Sequence, residues 1–328
     1  MRFPKLKLLA ALTFGAFVQT SVAADYPSKP VTMVIPYGSG GATDISARTL
    51  SDPLGKLVDQ PLLMVNRTGA GGATGSVSVK NAKADGYTLL FARVGSHSVN
   101  PAMKATLPYT LDDFEFIGVY EINPVACAVK ADSDINSMDD LIAKVKANPG
   151  QVSYSSSGVG SLLHLAGAYV LSEFGVANPT KDVIHIPLKG GGAAATAVLG
   201  GTATFICTNS SALASFIKNK QLKPLMVTTA EPVAGFDAPT SVDLGKPNLQ
   251  KLVGWTGLAG PKGMPKEVGD TWRGILQKAT DDSGFRSKME ARGSVIEMMD
   301  PDTAKAFIND QYSTFRALVD ELGMRIEG

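Results

Sequence analysis

The sequence predicts an α/β protein of two similar halves, built on mostly parallel sheets. Three observations carry that expectation. Short apolar runs, read as buried strands, alternate with longer stretches read as helices. A strand, glycine loop and helix at residues 31–60 recur at residues 152–174. The chain has 328 residues, enough for two domains with a sizeable core.

Residues 1–24 read as a secretory signal peptide. Arg2, Lys5 and Lys7 form a basic start, residues 8–18 are apolar, and Ser21, Val22, Ala23 and Ala24 offer cleavage after Ala23 or Ala24. The apolar run is short for a membrane anchor of about 20 residues. No other run approaches its length, so the mature protein is expected to be soluble. Removing the leader's three basic residues from 31 basic and 30 acidic leaves 28 and 30, a net charge of −2. No basic surplus is left for nucleic acid or an anionic membrane. An exported protein could join Cys127 and Cys207, but the simpler reading is that each is a small buried apolar side chain. No CxxC, HExxH or Cys/His cluster suggests a metal, and no cofactor is expected.

The element that orders the chain is the stretch Tyr37, Gly38, Ser39, Gly40, Gly41, Ala42, Thr43 and Asp44. It follows the strand at residues 31–35 and opens a helix over 45–60, which Pro53 should kink. Glycines let a ligand approach the backbone, and the first N–H groups of a helix have no internal partner. The positive end of the helix dipole favours a carboxylate or phosphate there. Taken alone, the stretch reads first as a tight turn with Thr43 or Asp44 as N-cap, and the second such stretch later in the chain shifts the reading toward an anion site.

Residues 61–66 and 87–92 follow as strands, separated by a flexible Gly69–Gly75 stretch and a short helix to residue 82. Strands are expected at 114–119 and 125–129, with Asn123-Pro124 between them. Ser137 caps a helix over 137–147. The strand at 152–155 meets the second small-residue loop, Ser156, Ser157, Gly158, Val159, Gly160 and Ser161, which opens a helix over 162–174. A strand at 183–188, a helix at 193–199, a strand at 203–208 ending in Thr208, and a strand at 225–229 complete this half. The remainder reads as helical, at 265–280, 283–291 and from Asp300-Pro301 to Gly323.

Both loops lie after a strand and before a helix, where open α/β sheets bind ligands. If two such domains face each other, one anion is held from both sides, with hydroxyls of Ser39, Thr43, Ser156, Ser157 and Ser161 adding donors. Neither loop is a P-loop, and Thr43 stands where GxGxxG needs its third glycine, so a carboxylate fits better than a phosphate or dinucleotide. No GxSxG elbow occurs. His164, near the start of the helix after the second loop, can reach the ligand or be a hydrogen-bonded packing histidine, His185 reads as core or sheet surface, and His97 follows a strand and can line a site. The patterns at Asn66-Arg67-Thr68 and Asn209-Ser210-Ser211 match glycosylation sites by chance.

At these residues the chain resembles a known family. Tyr26-Pro27-Ser28-Lys29-Pro30-Val31 is followed by Pro36-Tyr37-x-x-Gly40-Gly41-x-x-Asp44-x-x-Ala47-Arg48. Asn66-Arg67-x-Gly69-Ala70-Gly71-Gly72-x-x-Gly75 and Ala84-Asp85-Gly86-Tyr87-Thr88-Leu89-Leu90 come next. Tyr154-x-Ser156-x-Gly158-x-Gly160-Ser161-x-x-His164-Leu165 and His185-x-Pro187-x-Lys189-Gly190 complete the set. Together they resemble the extracytoplasmic solute receptors of tripartite tricarboxylate transporters, also called Bug receptors, across the whole mature chain. The resemblance implies a hinged, two-domain periplasmic binding protein of type II (Venus-flytrap) fold. It also implies a carboxylate held by the loops beginning at Tyr37 and Ser156. Three positions depart from the family pattern: Leu188 replaces a usual aromatic, Ala197 a common aspartate, and Arg93 a small or hydroxyl residue.

The expected protein is a non-enzymatic, monomeric periplasmic receptor that carries a small carboxylate to membrane permease subunits. Its first domain is expected at 25–124 plus 227–328 and its second at 125–226, hinged near Pro124 and Leu225. Arg93 suggests a dicarboxylate, because a guanidinium holds a second carboxylate by two parallel bonds. Ser96, His97 and Asn209 are candidate neighbours, and terephthalate, an aliphatic diacid or citrate all fit. The bland alternative for Arg93 is a surface ion pair. The competing function is an exported hydrolase of an anionic substrate using Ser161 and His164, which lacks an acid partner in sequence.

Overall fold

The structure is a computed structural model and describes residues 26–327. The expected leader lies outside them. In the first lobe, β1 (Val31–Ile35) is apolar and almost wholly buried, as a strand inside a parallel sheet must be. α1 (Ala42–Leu57) buries Ala47, Leu50 and Leu54, and Pro53 lies inside it without ending it. β2 (Leu62–Asn66) runs parallel to β1. α2 (Ala73–Lys80) leads to β3 (Thr88–Arg93), parallel to β1 on its other side. A π-helical turn at Gly95–Val99 then runs into α3 (Asn100–Met103).

β4 (Phe114–Lys130) is one strand of 17 residues, not the two expected. Pro124 does not break it. The proline sits where β4 changes partners, and there its missing N–H removes no needed ladder bond.

The second lobe continues with α4 (Met138–Ala147), capped by Ser137 as expected. β5 (Val152–Ser156), α5 (Leu162–Glu173), α6 (Pro179–Asp182) and β6 (Val183–Pro187) follow. Next come α7 (Gly191–Leu199), β7 (Phe205–Asn209), α8 (Ser210–Lys218) and β8 (Leu222–Val227). The chain returns through β9 (Val253–Pro261), α9 (Lys266–Thr280), α10 (Ser283–Glu290), β10 (Val295–Met299) and α11 (Pro301–Glu321). The expectation of a helical C-terminal part is corrected by β10, and β9 fills a stretch for which no element was expected. Gly254, Gly257 and Gly260 blunt the strand signal of β9.

The strand order is β2-β1-β3-β9-β4-β7-β5-β6, with β10 and β8 also on β4. The sheet is mixed. Among the described strands, parallel pairs are β1 with β2 and β3, and β5 with β6 and β7. β4 and β9 run antiparallel to their neighbours because they carry the chain between the lobes rather than through a strand–helix–strand unit.

Cys127 and Cys207 form a disulfide, which replaces the expectation of two separate apolar thiols. The reason is register: β4 and β7 place them directly opposite each other.

Candidate ligand site between the lobes

The first loop is fixed from within. Gly40, at φ +75°, donates its N–H to Asp44 Oδ2 at 3.0 Å. Asp44 Oδ1 accepts from Arg48 Nε and Asn66 Nδ2, each at 2.9 Å. The Asp44 carboxylate is thus occupied in holding the loop. Neither Thr43 nor Asp44 is the N-cap of α1: that residue is Gly41, which has no side chain to satisfy the N–H groups of the first turn. Tyr37 donates its hydroxyl to Gly71 O at 2.8 Å, and burial pushes its phenol pKa upward.

The second lobe presents two further helix starts. α5 is capped by the Ser161 hydroxyl, which accepts from His164 N at 3.3 Å and leaves the N–H groups of Leu162 and Leu163 without an intrahelical acceptor. α7 begins at Gly190, again without a side-chain cap. The His164 ring stacks on His185 at 4.0 Å, and His185 stacks on Tyr154 at 4.9 Å. His185 Nε2 lies 2.6 Å from Ser156 Oγ. Burial lowers the pKa of His164 to about 3 and that of His185 to about 4, so both rings are neutral near pH 7.

Around the two loops, the lobes meet through glycine backbone. Gly38 packs on the Lys189 carbonyl and Gly190, Gly41 on Gly191, and Gly192 on Ser39 and Gly40. Gly71 lies against Val159 and Gly160. A Cβ at Gly190 would lie 2.6 Å from Gly38 N.

Between these contacts lies a cavity of about 30 Å³. Tyr37, Gly41, Ala42 and Thr43 line it from the first loop, and Arg93, Val94 and Gly95 from the end of β3. Ser157, Leu162, Leu163 and Gly191 close it from the second lobe, with Thr208 and Asn209. A wider cleft of about 280 Å³ shares Tyr37 and Ser157 and adds Gly158, Val159, Lys104 and Lys189.

Arg93 is buried, at 3% exposure, and is not part of a surface ion pair. Its Nη1 lies 3.5 Å from Glu121 Oε2 and also donates to Thr256 Oγ1. Its Nη2 donates to Asn209 Oδ1 at 2.6 Å.

A family profile described as "Tripartite tricarboxylate transporter family receptor" matches residues 46–324. The chain belongs to this receptor family. BugT of Bordetella pertussis is 29% identical over 98% of this chain and 99% of its own. A solved structure titled a periplasmic transporter superposes with a TM-score of 0.86 at 30% identity, covering 92% of this chain and 99% of that one. The periplasmic binding protein BugD gives 0.86 at 28%, covering 92% of this chain and 100% of that one. MatC of Rhodopseudomonas palustris, solved with bound malate, shares the fold at a TM-score of 0.84 and 23% identity, covering 90% of this chain and 100% of that one. The receptor therefore has the two-domain, hinged periplasmic binding-protein fold expected from sequence. Among the described residues no helix is long and apolar enough to cross a membrane.

The receptor's sequence-expected residues divide in three. Tyr37, Gly41, Ala42, Thr43, Arg93, Ser157, Thr208 and Asn209 line the inner cavity. Gly158 and Val159 line the outer cleft. The others line neither. Gly38, Ser39 and Gly40 make the contact with α7. Ser156, Gly160, Ser161 and His164 shape the second loop. Ser96 donates to Arg93 O at 3.2 Å and lies 2.8 Å from His97 Nδ1. The His97 ring is enclosed by Tyr109, Phe114, Phe116 and Trp255, and burial lowers its pKa to about 3. Sequence reasoning missed Gly191, Leu162, Leu163, Val94 and Gly95 on the inner wall, and Glu121 behind Arg93. The run Lys189-Gly190-Gly191-Gly192 carried a signal for the first. A lone glutamate in the apolar stretch Ile117–Ile122 carried one for the last.

Proposed function

We propose that this receptor binds a small carboxylate between its lobes and delivers it to the permease subunits of a tripartite tricarboxylate-type transporter. The observation that supports this reading is the convergence of α1, α5 and α7 on one cavity by their N-termini. Each end carries about half a positive charge and free N–H donors, which suit a carboxylate. The cavity holds little more than such a group, so ligand and lobes adjust together on binding. Arg93 on the cavity wall favours a dicarboxylate, aliphatic or aromatic such as terephthalate, with the second carboxylate on the guanidinium. The protein works in the periplasm as a monomer after loss of its leader. The domains are 25–124 plus 227–328 and 125–226, hinged where β4 passes Pro124 and near Leu225.

The protein is a carrier and not a hydrolase. Ser161 Oγ is used as a helix cap and accepts from the backbone of His164 rather than from its ring. The Ser156–His185 pair has the geometry of a nucleophile and base. Among the described residues, however, no carboxylate bonds the His185 ring, and the lowered pKa of that ring makes it a weak base.

A melting assay across mono-, di- and tricarboxylates tests the reading. A true ligand at 100 times its Kd adds about 2.7 kcal/mol of stability. Stabilisation by no carboxylate, or turnover of esters or amides, overturns it.

A further inference from the structure

Glu121 is fully buried and is not part of the cavity lining, yet it bears on the one lining side chain with a full positive charge. Arg93 on β3, Thr256 on β9 and Glu121 on β4 are register partners across three adjacent strands. Register partners project from the same face of a sheet. Thr256 sits between the charges: it accepts from Arg93 and donates to Glu121 Oε2 at 2.6 Å. The other carboxylate oxygen accepts from Ser294 Oγ at 2.9 Å and Asn123 Nδ2 at 3.3 Å. The carboxylate is therefore fixed by donors on both oxygens.

Arg93 is held from the opposite side as well. Asn209 accepts from Nη2 and anchors its own amide on the carbonyl of Asn123 at 2.9 Å. These bonds account for three of the guanidinium's five N–H groups, leaving the Nε–H and one on Nη2 for a ligand. A ligand group at Arg93 thus meets well-aimed donors whose positive charge is largely offset by the carboxylate behind them.

We infer that Glu121 is a specificity-determining positioning residue that sets how strongly the cavity prefers a second negative charge on its ligand. It aims the guanidinium and weakens its pull on a dianion, so the receptor accepts a second carboxylate without requiring one. The inference rests on the carboxylate reading above.

The test compares matched diacid and monoacid pairs by calorimetry: succinate with butyrate, adipate with hexanoate, and terephthalate with p-toluate. The pair bound most tightly by the wild type is carried forward. If the wild type binds none of these and no carboxylate raises its melting temperature, the carboxylate reading itself fails. Given binding, Glu121→Gln leaves Arg93 without its counter-charge, and the diacid-to-monoacid affinity ratio should rise at least tenfold. Glu121→Asp keeps the charge and should return the ratio to within threefold of wild type. The double variant Arg93→Gln with Glu121→Gln removes both charges, and its ratio should fall severalfold below wild type. A purely structural role would instead lower both affinities alike. An unchanged or falling ratio in Glu121→Gln overturns the inference. Should that variant not fold, a double variant that keeps the wild-type ratio overturns it equally.

Discussion

Gly192 lacks a side chain at the point where α7 meets the opposite lobe, and any Cβ there would strike Ser39 O and crowd Gly40. The residue lies in the first turn of α7 outside the left-handed φ region, so alanine suits its backbone. Alanine is the better helix former by about 1 kcal/mol. Gly192→Ala should therefore leave the melting temperature of the ligand-free protein unchanged or slightly raised. It should weaken carboxylate binding at least tenfold, about 1.4 kcal/mol, because only the joined lobes meet the added methyl group. Calorimetry and melting on the same sample separate the two effects. Unchanged affinity would mean that this contact is absent from the bound state.

The elements show which parts of the chain were legible. The stack of Tyr154, His185 and His164 joins β5, β6 and α5 beneath the second loop. Its histidines titrate at about 3 and 4, and His97 at about 3, all below the ordinary value near 6.5 because burial disfavours the charged ring. Below that value the unfolded chain takes up protons that the folded chain refuses. Their contribution is therefore fully present above about pH 6.5 and is lost as pH falls through about 4 for His185 and about 3 for His164 and His97, at up to about 1.4 kcal/mol per unit for a fully buried histidine. Urea unfolding at pH 7 and pH 5 should show that loss, and the double variant His164→Gln with His185→Gln should reduce it. An identical loss in the variant would assign the effect to other groups. The Tyr37 and Ser156 loops could be read from sequence because strand, glycine and helix signals are local. The joined strand β4 and the strand β9 could not, since Asn123-Pro124 and the glycines of β9 imitate breaks that only long-range pairing overrides. The places of Glu121 and of the α7 start beside the site escaped for the same reason. What brings them beside Arg93 and Gly41 is register and lobe contact, neither of which is written in neighbouring residues.

At the scale of the molecule, the way the lobes meet is electrostatically costly without a ligand. A Cβ on Gly41, the N-cap of α1, would lie 3.0 Å from Gly191 N in the first turn of α7, so two positive helix ends face each other. The glycines at this contact have no side chains, so the contact itself adds no side-chain burial to offset the repulsion. An anion between the ends reverses the sign of the interaction. Binding and closure are then coupled, because the ligand favours the closed form by its differential affinity for the two arrangements. β4, which pairs with β9 and β10 in one lobe and with β7 and β8 in the other, can supply the bend. Small-angle scattering should therefore show a smaller radius of gyration at saturating carboxylate than without it. Gly192→Ala should show less of this compaction at the same occupancy. A radius unchanged by saturating ligand in the wild type would separate binding from closure and leave the facing helix ends without a mechanical role.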